Sequence, residues 1–285
     1  MKAKLKTALK LALSAVIIWL VLRGIDERLL LDTMRQANVW GLLWATGWFV
    51  LSKIIGARRF NILLKTEEIH LSNAQNLRLY WLGMYYNLLL PGGISGDGYK
   101  IKLLMDAFGA PFKRLFAVTL LDRVGGVIAL GQLCLVLAFG IPALQSFWWV
   151  GVLGLVASIP VSLWIYKKTG GGLSRVWRET SLLSLAVQLA QLIATFGIVL
   201  ALHEGARWLE YSLLFLISSV VAMLPLTIGG TGARELTFLW GARFLNIDPE
   251  KAVAIAFLFY LISTAVAFVG IIFSFDEKVE TVEKG

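Results

Sequence analysis

The sequence contains very few of the residues on which most metal and enzyme sites depend. It has one cysteine, Cys134, and two histidines, His70 and His203, in 285 residues. A single cysteine excludes a disulfide framework and any cysteine-based metal site. Two histidines far apart in the chain leave little for metal binding or for histidine-based acid–base chemistry. We therefore predict that the protein binds no metal ion and no cofactor.

Charged residues are also scarce. They form 16% of the chain, whereas hydrophobic residues form 58%, and a soluble domain has about a quarter of its residues charged. A surface this apolar needs lipid around it rather than water. The composition therefore predicts an all-α integral membrane protein, with residues 1–285 forming a single membrane domain.

Six apolar runs are long enough to cross a bilayer, because a spanning helix needs about 20 residues. These predicted spans lie at 7–23, 39–56, 115–140, 147–166, 182–202 and 252–274. Four lysines, the last of them Lys10, precede the continuous apolar stretch from Leu11 to Leu22 in the first span, and no small-residue cleavage site follows it. We therefore interpret it as a retained first span rather than as a cleaved signal peptide.

Two further apolar stretches are interrupted by proline and glycine. Residues 79–112 are broken at Pro91-Gly92-Gly93, and residues 211–246 are broken between Pro225 and Gly232. Each has the form of a helix, a break and a second, shorter helix. Open backbone is tolerated at membrane depth only where it is buried in protein or lines a cavity. We predict two re-entrant helical hairpins in addition to the six spans.

The distribution of Lys and Arg predicts the orientation. If both broken segments re-enter, eighteen of these residues lie on the side of the two termini and five lie on the other side. Because cytoplasmic loops are enriched in Lys and Arg, both termini are predicted to be cytoplasmic, in the cell (cytoplasmic or inner) membrane. The same distribution accounts for the formal charge of +9 and argues against a nucleic-acid partner.

The two broken segments resemble each other. The segment from Leu90 to Lys100 aligns without a gap on the segment from Leu224 to Arg234, with Leu, Pro, Ile and two Gly in common. The offset is close to half the chain, so we predict a duplication with halves at about 1–140 and 141–278. An odd number of crossings in each half makes the repeat inverted. Inverted repeats with broken helices are typical of transporters, whose substrates bind between the repeats.

The helices that restart after the breaks are the first candidates for a binding site. A helix N-terminus offers free N–H groups and a positive dipole to an anion. We predict that Lys100 and Arg234 contact a phosphate, assisted by backbone N–H groups of the two glycine-rich starts. For Lys100 the alternative is that it extends to the cytoplasmic interface. The glycines involved are Gly96, Gly98, Gly230 and Gly232.

Ionisable residues inside predicted spans are the second group of candidates, because they are costly there and usually mark a site. Asp122 and Arg123 lie within the third span. Either the two residues take part in function, or they stabilise the structure. In the second case Arg123 joins the first hairpin to the bundle through Asp97. Glu235 follows Arg234 and needs another partner, because adjacent helical residues do not face each other. Asn87 is a further candidate substrate contact.

Two known enzyme motifs are present only in incomplete form. The run from Gly93 to Asp97 lacks the last glycine of a nucleophile elbow. Gly93 to Gly98 has the glycine spacing of a phosphate-binding loop, but Tyr99 follows where that motif has lysine. We therefore predict that the protein is not an enzyme and that it binds no ATP.

Three motifs occur together in the chain: Asn87 to Lys100 (NLLLPGGISGDGYK), Leu121 to Gly126 (LDRVGG) and Pro225 to Glu235 (PLTIGGTGARE). The sequence resembles, over nearly its whole length, the flippase-like family that includes the transmembrane domain of lysylphosphatidylglycerol synthases. In the synthases a soluble aminoacyl-transferring domain follows this membrane domain. None follows the last predicted span in this sequence. The resemblance therefore implies lipid handling, and we expect lipid movement rather than lysyl transfer.

Our leading hypothesis is a flippase or scramblase for an anionic lipid, such as a phospholipid or a polyprenyl-phosphate-linked sugar. The partner would then be a membrane lipid with an anionic headgroup. The alternative is a secondary transporter of a soluble organic anion. A membrane-embedded transferase or phosphatase, and a structural subunit that binds a lipid or a partner lipid-modifying enzyme, remain open.

Overall fold

The computed structural model describes residues 27–89, 95–170, 172–223 and 232–275. In these residues all regular secondary structure is helical, which confirms the predicted all-α class. The α-helices are α1 (Glu27–Arg35), α2 (Val39–Lys65), α3 (Asn73–Leu89), α4 (Ser95–Phe108), α5 (Phe112–Ala138), α6 (Trp148–Thr169), α7 (Trp177–Ala201), α8 (Trp208–Met223), α9 (Ala233–Leu245) and α10 (Pro249–Phe268). Short 3₁₀ helices occupy Pro142–Phe147, Leu173–Val176, Gly205–Arg207 and Val269–Phe275.

Side-chain caps fix where several of these helices begin. Asn38 accepts a hydrogen bond from the N–H of Trp40 (2.9 Å) at the start of α2. Ser72 and Gln75 form a reciprocal capping box before α3, with bonds of 2.9 and 3.2 Å. Each cap satisfies N–H groups that have no partner within the helix.

Within the described residues, six helical segments are long and apolar enough to cross a membrane. They are Val39–Lys65, Phe112–Ala138, Pro142–Thr169, Leu173–Ala201, Gly205–Met223 and Pro249–Phe273. Five of them match predicted spans. The predicted span 7–23 lies outside the described residues, and the segment Gly205–Met223 overlaps what was predicted as the first arm of the second hairpin. The protein is a multi-pass membrane protein.

The surface is apolar and the interior carries charge, the reverse of a soluble protein. Trp40, Trp240 and Phe244 are 68–78% exposed, whereas Asp97 and Lys100 are each 5% exposed. Isolated apolar side chains are common on soluble proteins, but a continuous apolar exterior marks a lipid or protein interface. Lipid around the bundle accounts for both observations.

The two broken segments are pairs of packed helices. The α3 side chain of Asn87 bonds to Gly96 of α4, and Gly83 lies against the Lys100 side chain, so α3 and α4 run antiparallel. Helix α9 packs on α8, where Gly241 lies against Leu214. The second arms have 14 and 13 residues, about 20 Å each, too short for a hydrocarbon core of about 30 Å. Their lengths favour re-entry, which stays a prediction, as does the inverted repeat.

The order of helices recurs in the second half. Helices α2 to α5 begin at Val39, Asn73, Ser95 and Phe112, and helices α7 to α10 begin at Trp177, Trp208, Ala233 and Pro249. Each of the later helices begins 135–138 residues after the corresponding earlier helix, close to the offset of 134 residues between Leu90 and Leu224. The spacing is what a duplicated chain would retain.

Helices α2 and α7 cross closely because small residues line their contact. A side chain at Gly41 would overlap the carbonyl oxygen of Gly197, and one at Gly197 would meet that of Gly41. Ala45 and Ala194 are buried in the same core. Small residues allow close backbone approach, which membrane helices use because lipid provides no hydrophobic force between them.

Because α3 packs closely on α4, we predict different effects of alanine substitution at Gly96 and at Gly98. A Cβ at Gly96 would overlap the Gly83 carbonyl oxygen, whereas a Cβ at Gly98 would meet nothing. Gly96→Ala should lower the unfolding temperature in detergent, since overpacking costs about 1–3 kcal/mol. Gly98→Ala should leave it unchanged or raise it, because alanine favours helix. Equal unfolding temperatures for the two variants would contradict this packing.

Candidate anion-binding cavity

Seven helices enclose a cavity of about 340 Å³, to which α2–α5 contribute from the first half and α7–α9 from the second. Its polar side chains include five cations and two carboxylates. They are Lys53, Arg59, Lys100, Arg123, Arg234, Asp97 and Asp122, accompanied by Tyr80, Asn87, Gln188, Gln191 and Ser219. The site therefore lies between the two predicted halves of the chain.

Asp97 lies at the centre of one cluster of charges. Lys100, one turn further along α4, places its Nζ 2.8 Å from the Asp97 carboxylate, and Arg123 of α5 forms a second ion pair with it. Lys100 is buried, with its Nζ 4.4 Å from the centre of the Phe60 ring. Lys100 therefore points into the bundle rather than towards the cytoplasmic interface, and Asp97 joins α4 to α5.

Asp122 forms a separate pair on the other side of α5. The Arg59 Nε donates to Asp122 at 2.7 Å, and its Nη1 donates to the Ser184 hydroxyl at 2.9 Å. Three helices, α2, α5 and α7, meet at these bonds. Asp122 and Arg123 thus have different partners, because successive residues of a helix point in different directions.

Lys53 and Arg234 differ from the other three cations. Neither has an ion-pair partner among the described residues, and the Arg234 Nη1 is buried with no hydrogen-bond partner there. Each lies over aromatic rings instead. The Lys53 Nζ is 4.3 Å from the centre of the Phe49 ring, and the Arg234 guanidinium is 4.8 Å from that of Phe259.

The charges that line the cavity sum to three positive, from five cations and two carboxylates. A buried charge without a counter-charge is costly, and a low-dielectric wall strengthens its field. The cavity is therefore suited to an anion. Guanidinium and ammonium groups are the side chains that usually bind carboxylate and phosphate oxygens.

Asn87 and Glu235 are also predicted to bind the substrate. In the structure their side chains cap the starts of helices. The Asn87 side chain lines the cavity and accepts from the Gly96 N–H at 2.9 Å, so that N–H is already bonded. Glu235 accepts from the Gly232 N–H at 2.8 Å and closes the first turn of α9. This bond supplies the partner that the sequence required for Glu235.

None of the four predicted glycines, Gly96, Gly98, Gly230 and Gly232, is among the described residues that line the cavity. Gly98 is exposed and is not part of the lining. Gly230 lies outside the described residues. Gly232, at φ +84°, precedes α9 in a conformation that favours glycine. Its role in the structure is to begin the helix.

Lys53 and Arg59 are site residues that sequence reasoning missed. The predicted span 39–56 contains Lys53, and an ionisable residue inside a span is the same signal that identified Asp122. Arg59 follows the predicted end of that span at residue 56 and is counted among the basic residues predicted to lie on the side of the two termini. The structure continues α2 to Lys65 and buries Arg59, so the assigned boundary was several residues too early.

The fold and the cavity together define a multi-pass α-helical membrane protein with a buried, positively charged site. A family model described as the lysylphosphatidylglycerol synthase TM region matches residues 7–270. The chain belongs to this family, as its motifs suggested. A UPF0104 membrane protein of Pyrococcus horikoshii is 22% identical over 90% of both chains.

The Arg59–Asp122 ion pair allows a prediction about the unfolding temperature of variants. Asp122→Asn should lower the unfolding temperature in detergent strongly, because a buried charge left alone costs about 3–5 kcal/mol. Adding Arg59→Gln should restore part of the loss, since the stranded cation is removed. Arg58→Gln, at an exposed neighbouring position, is the matched control and should change little. A double variant whose loss equals the sum of the single losses would contradict the pairing.

Proposed function

We propose that the protein is a flippase or scramblase that moves an anionic, phosphate-containing lipid between the bilayer leaflets. The lipid is a phospholipid or a polyprenyl-phosphate-linked sugar. One observation carries the proposal: Lys53 and Arg234 face a cavity inside an apolar bundle and form no ion pair with the described residues. Membership of a family named after a lipid synthase supports a lipid as the ligand.

The headgroup phosphate would bind between Lys53 and Arg234, while the acyl or prenyl tails stay in the surrounding lipid. Lys100 and Arg123 are held by Asp97, so they contribute to the field of the site more than to direct binding. A second space of about 250 Å³ adjoins the cavity and shares Lys53, Asn87 and Arg123 with it. Three polar residues of α10 line this second space: Tyr260, Ser263 and Thr264.

Movement of one half against the other would expose the site to each leaflet in turn, as in transporters with inverted repeats. The bond from Arg59 of the first half to Ser184 of the second crosses this boundary. The sequence contains no ATP-binding motif, so the proposed energy source is an ion gradient or consumption of the product. Asp97, Asp122 and Glu235 are the carboxylates that could couple transport to protons.

We place the protein in the cell (cytoplasmic or inner) membrane with both termini in the cytoplasm. The support is the bias of Lys and Arg towards one side. Two of the eighteen residues counted on that side, Arg59 and Lys100, are buried in the structure. Sixteen against five remain, which still favours this orientation.

Transport by the purified protein tests the proposal. Proteoliposomes would carry a fluorescent phosphatidylglycerol or phosphatidate, and a quencher added outside would report the lipid that reaches the outer leaflet. We expect the wild type to accelerate this movement. Arg234→Gln should slow it about tenfold or more, because a charge-assisted hydrogen bond contributes about 1.5–3 kcal/mol.

The matched control is Arg243→Gln, which removes the same charge from an exposed position of the same helix and should retain transport. A fully active Arg234→Gln variant would refute the binding site. Uptake of a soluble organic anion without lipid movement would favour the secondary transporter. Movement only after addition of a second protein would favour a subunit of a lipid-modifying enzyme.

A further inference from the structure

Lys53 and Arg234 rest on one continuous cluster of three phenylalanines. Phe49 lies under Lys53, and its ring is 5.3 Å from that of Phe259, in an edge-to-face arrangement. Phe259 is in turn 4.6 Å from Phe215. Arg234 lies over both, at 4.8 and 5.4 Å from the ring centres. The two cations therefore contact the same aromatic cluster.

An aromatic ring stabilises a cation in a different way from a carboxylate. The ring face attracts the cation but carries no net charge, so the positive charge is not neutralised. By contrast, Arg59 is matched by Asp122, and Lys100 and Arg123 share Asp97. Among the described residues, the five cations of the cavity outnumber its two carboxylates and the neighbouring Glu235 by two, and the phenylalanine rings do not offset this excess.

We propose, on the basis of the proposed function, that the cavity selects a phosphomonoester group over a phosphodiester. A phosphomonoester carries about −1.5 to −2 charges at neutral pH, since its second pKa is about 6. A phosphodiester carries one negative charge and would offset only one of the two excess positive charges. A terminal phosphate also presents three oxygens, enough for Lys53 and a bidentate contact from Arg234.

The geometry restricts where such a group can bind. The rings lie against the two cations, and both side chains line the cavity. The part of each cation that faces the cavity is therefore available to an anion. A volume of about 340 Å³ lies at the lower end of the range of small-molecule sites. We expect it to hold a headgroup, with the tails in the surrounding lipid.

The experiment compares fluorescent phosphatidate with fluorescent phosphatidylglycerol of identical chains in the proteoliposome assay. At about pH 7, where phosphatidate carries most of its second charge, the wild type should move phosphatidate about tenfold faster, because it gains one further charge-assisted contact. At about pH 5 phosphatidate loses its second charge, and the ratio of rates should fall towards one. A wild type that moves both lipids equally at the higher pH would overturn the inference and leave the proposed function intact.

Lys53→Gln is the informative variant. It should slow phosphatidate more than phosphatidylglycerol, so that the preference falls towards one, because only phosphatidate carries the second charge that Lys53 matches. Lys65→Gln, at the exposed end of the same helix, is the control and should keep the preference. Equal slowing of both lipids in Lys53→Gln would show that Lys53 is structural and would overturn the proposed selectivity.

The phosphomonoester could belong to a lipid or to a soluble molecule, so inorganic phosphate is the second probe. Uptake of radiolabelled phosphate with the same dependence on pH and on Lys53, and no lipid movement, would support the dianion site and refute the flippase. Lipid movement with no phosphate uptake would assign the group to a lipid headgroup. A wild type that moves neither lipid nor phosphate would overturn both proposals.

Discussion

Buried charge is the constraint on which the rest of this structure depends. Lipid cannot solvate an ionised side chain, so each charge inside the bundle needs a partner from another helix or from a ligand. Asp97 and Asp122 supply partners for three of the five cations of the cavity. In doing so they join α4 to α5, and α2 to α5. The bond from Arg59 to Ser184 adds α7 to the same assembly.

The unequal distribution of these charges connects the fold to the proposed function. If all five cations had carboxylate partners, the cavity would be a structural polar core. Lys53 and Arg234 instead lie on phenylalanine rings, which hold them in place without cancelling their charge. The cavity therefore combines ion pairs, which join the helices, with an excess of positive charge. Ligand binding would compensate that charge.

Much of the fold could be predicted because its signals are local. Apolar runs of about 20 residues identified five of the described spans, and the proline and glycine breaks identified the pairs α3–α4 and α8–α9. Arg234 was recognisable because it is a charge inside an apolar stretch. The end of α2 was missed, because Arg58 and Arg59 resemble the basic start of a cytoplasmic loop. In the structure Arg58 is exposed and Arg59 is buried.

The partners of the site residues could not be predicted in the same way, because they depend on which helices meet. The sequence gives no indication that Arg59 reaches Asp122, 63 positions away. It also cannot separate Glu235, which caps α9, from Arg234, which faces the cavity. The ion pair between Arg123 and Asp97 is the exception: it is one of the alternatives predicted from the sequence, and the structure has it.

The most direct test of an anion site in the cavity is native mass spectrometry of the protein released gently from its own membrane. The wild type should retain one anionic, phosphate-containing lipid, and a Lys53→Gln/Arg234→Gln double variant should lose it while remaining folded. A wild type without bound lipid, or a double variant that retains the same lipid equally well, would contradict the account.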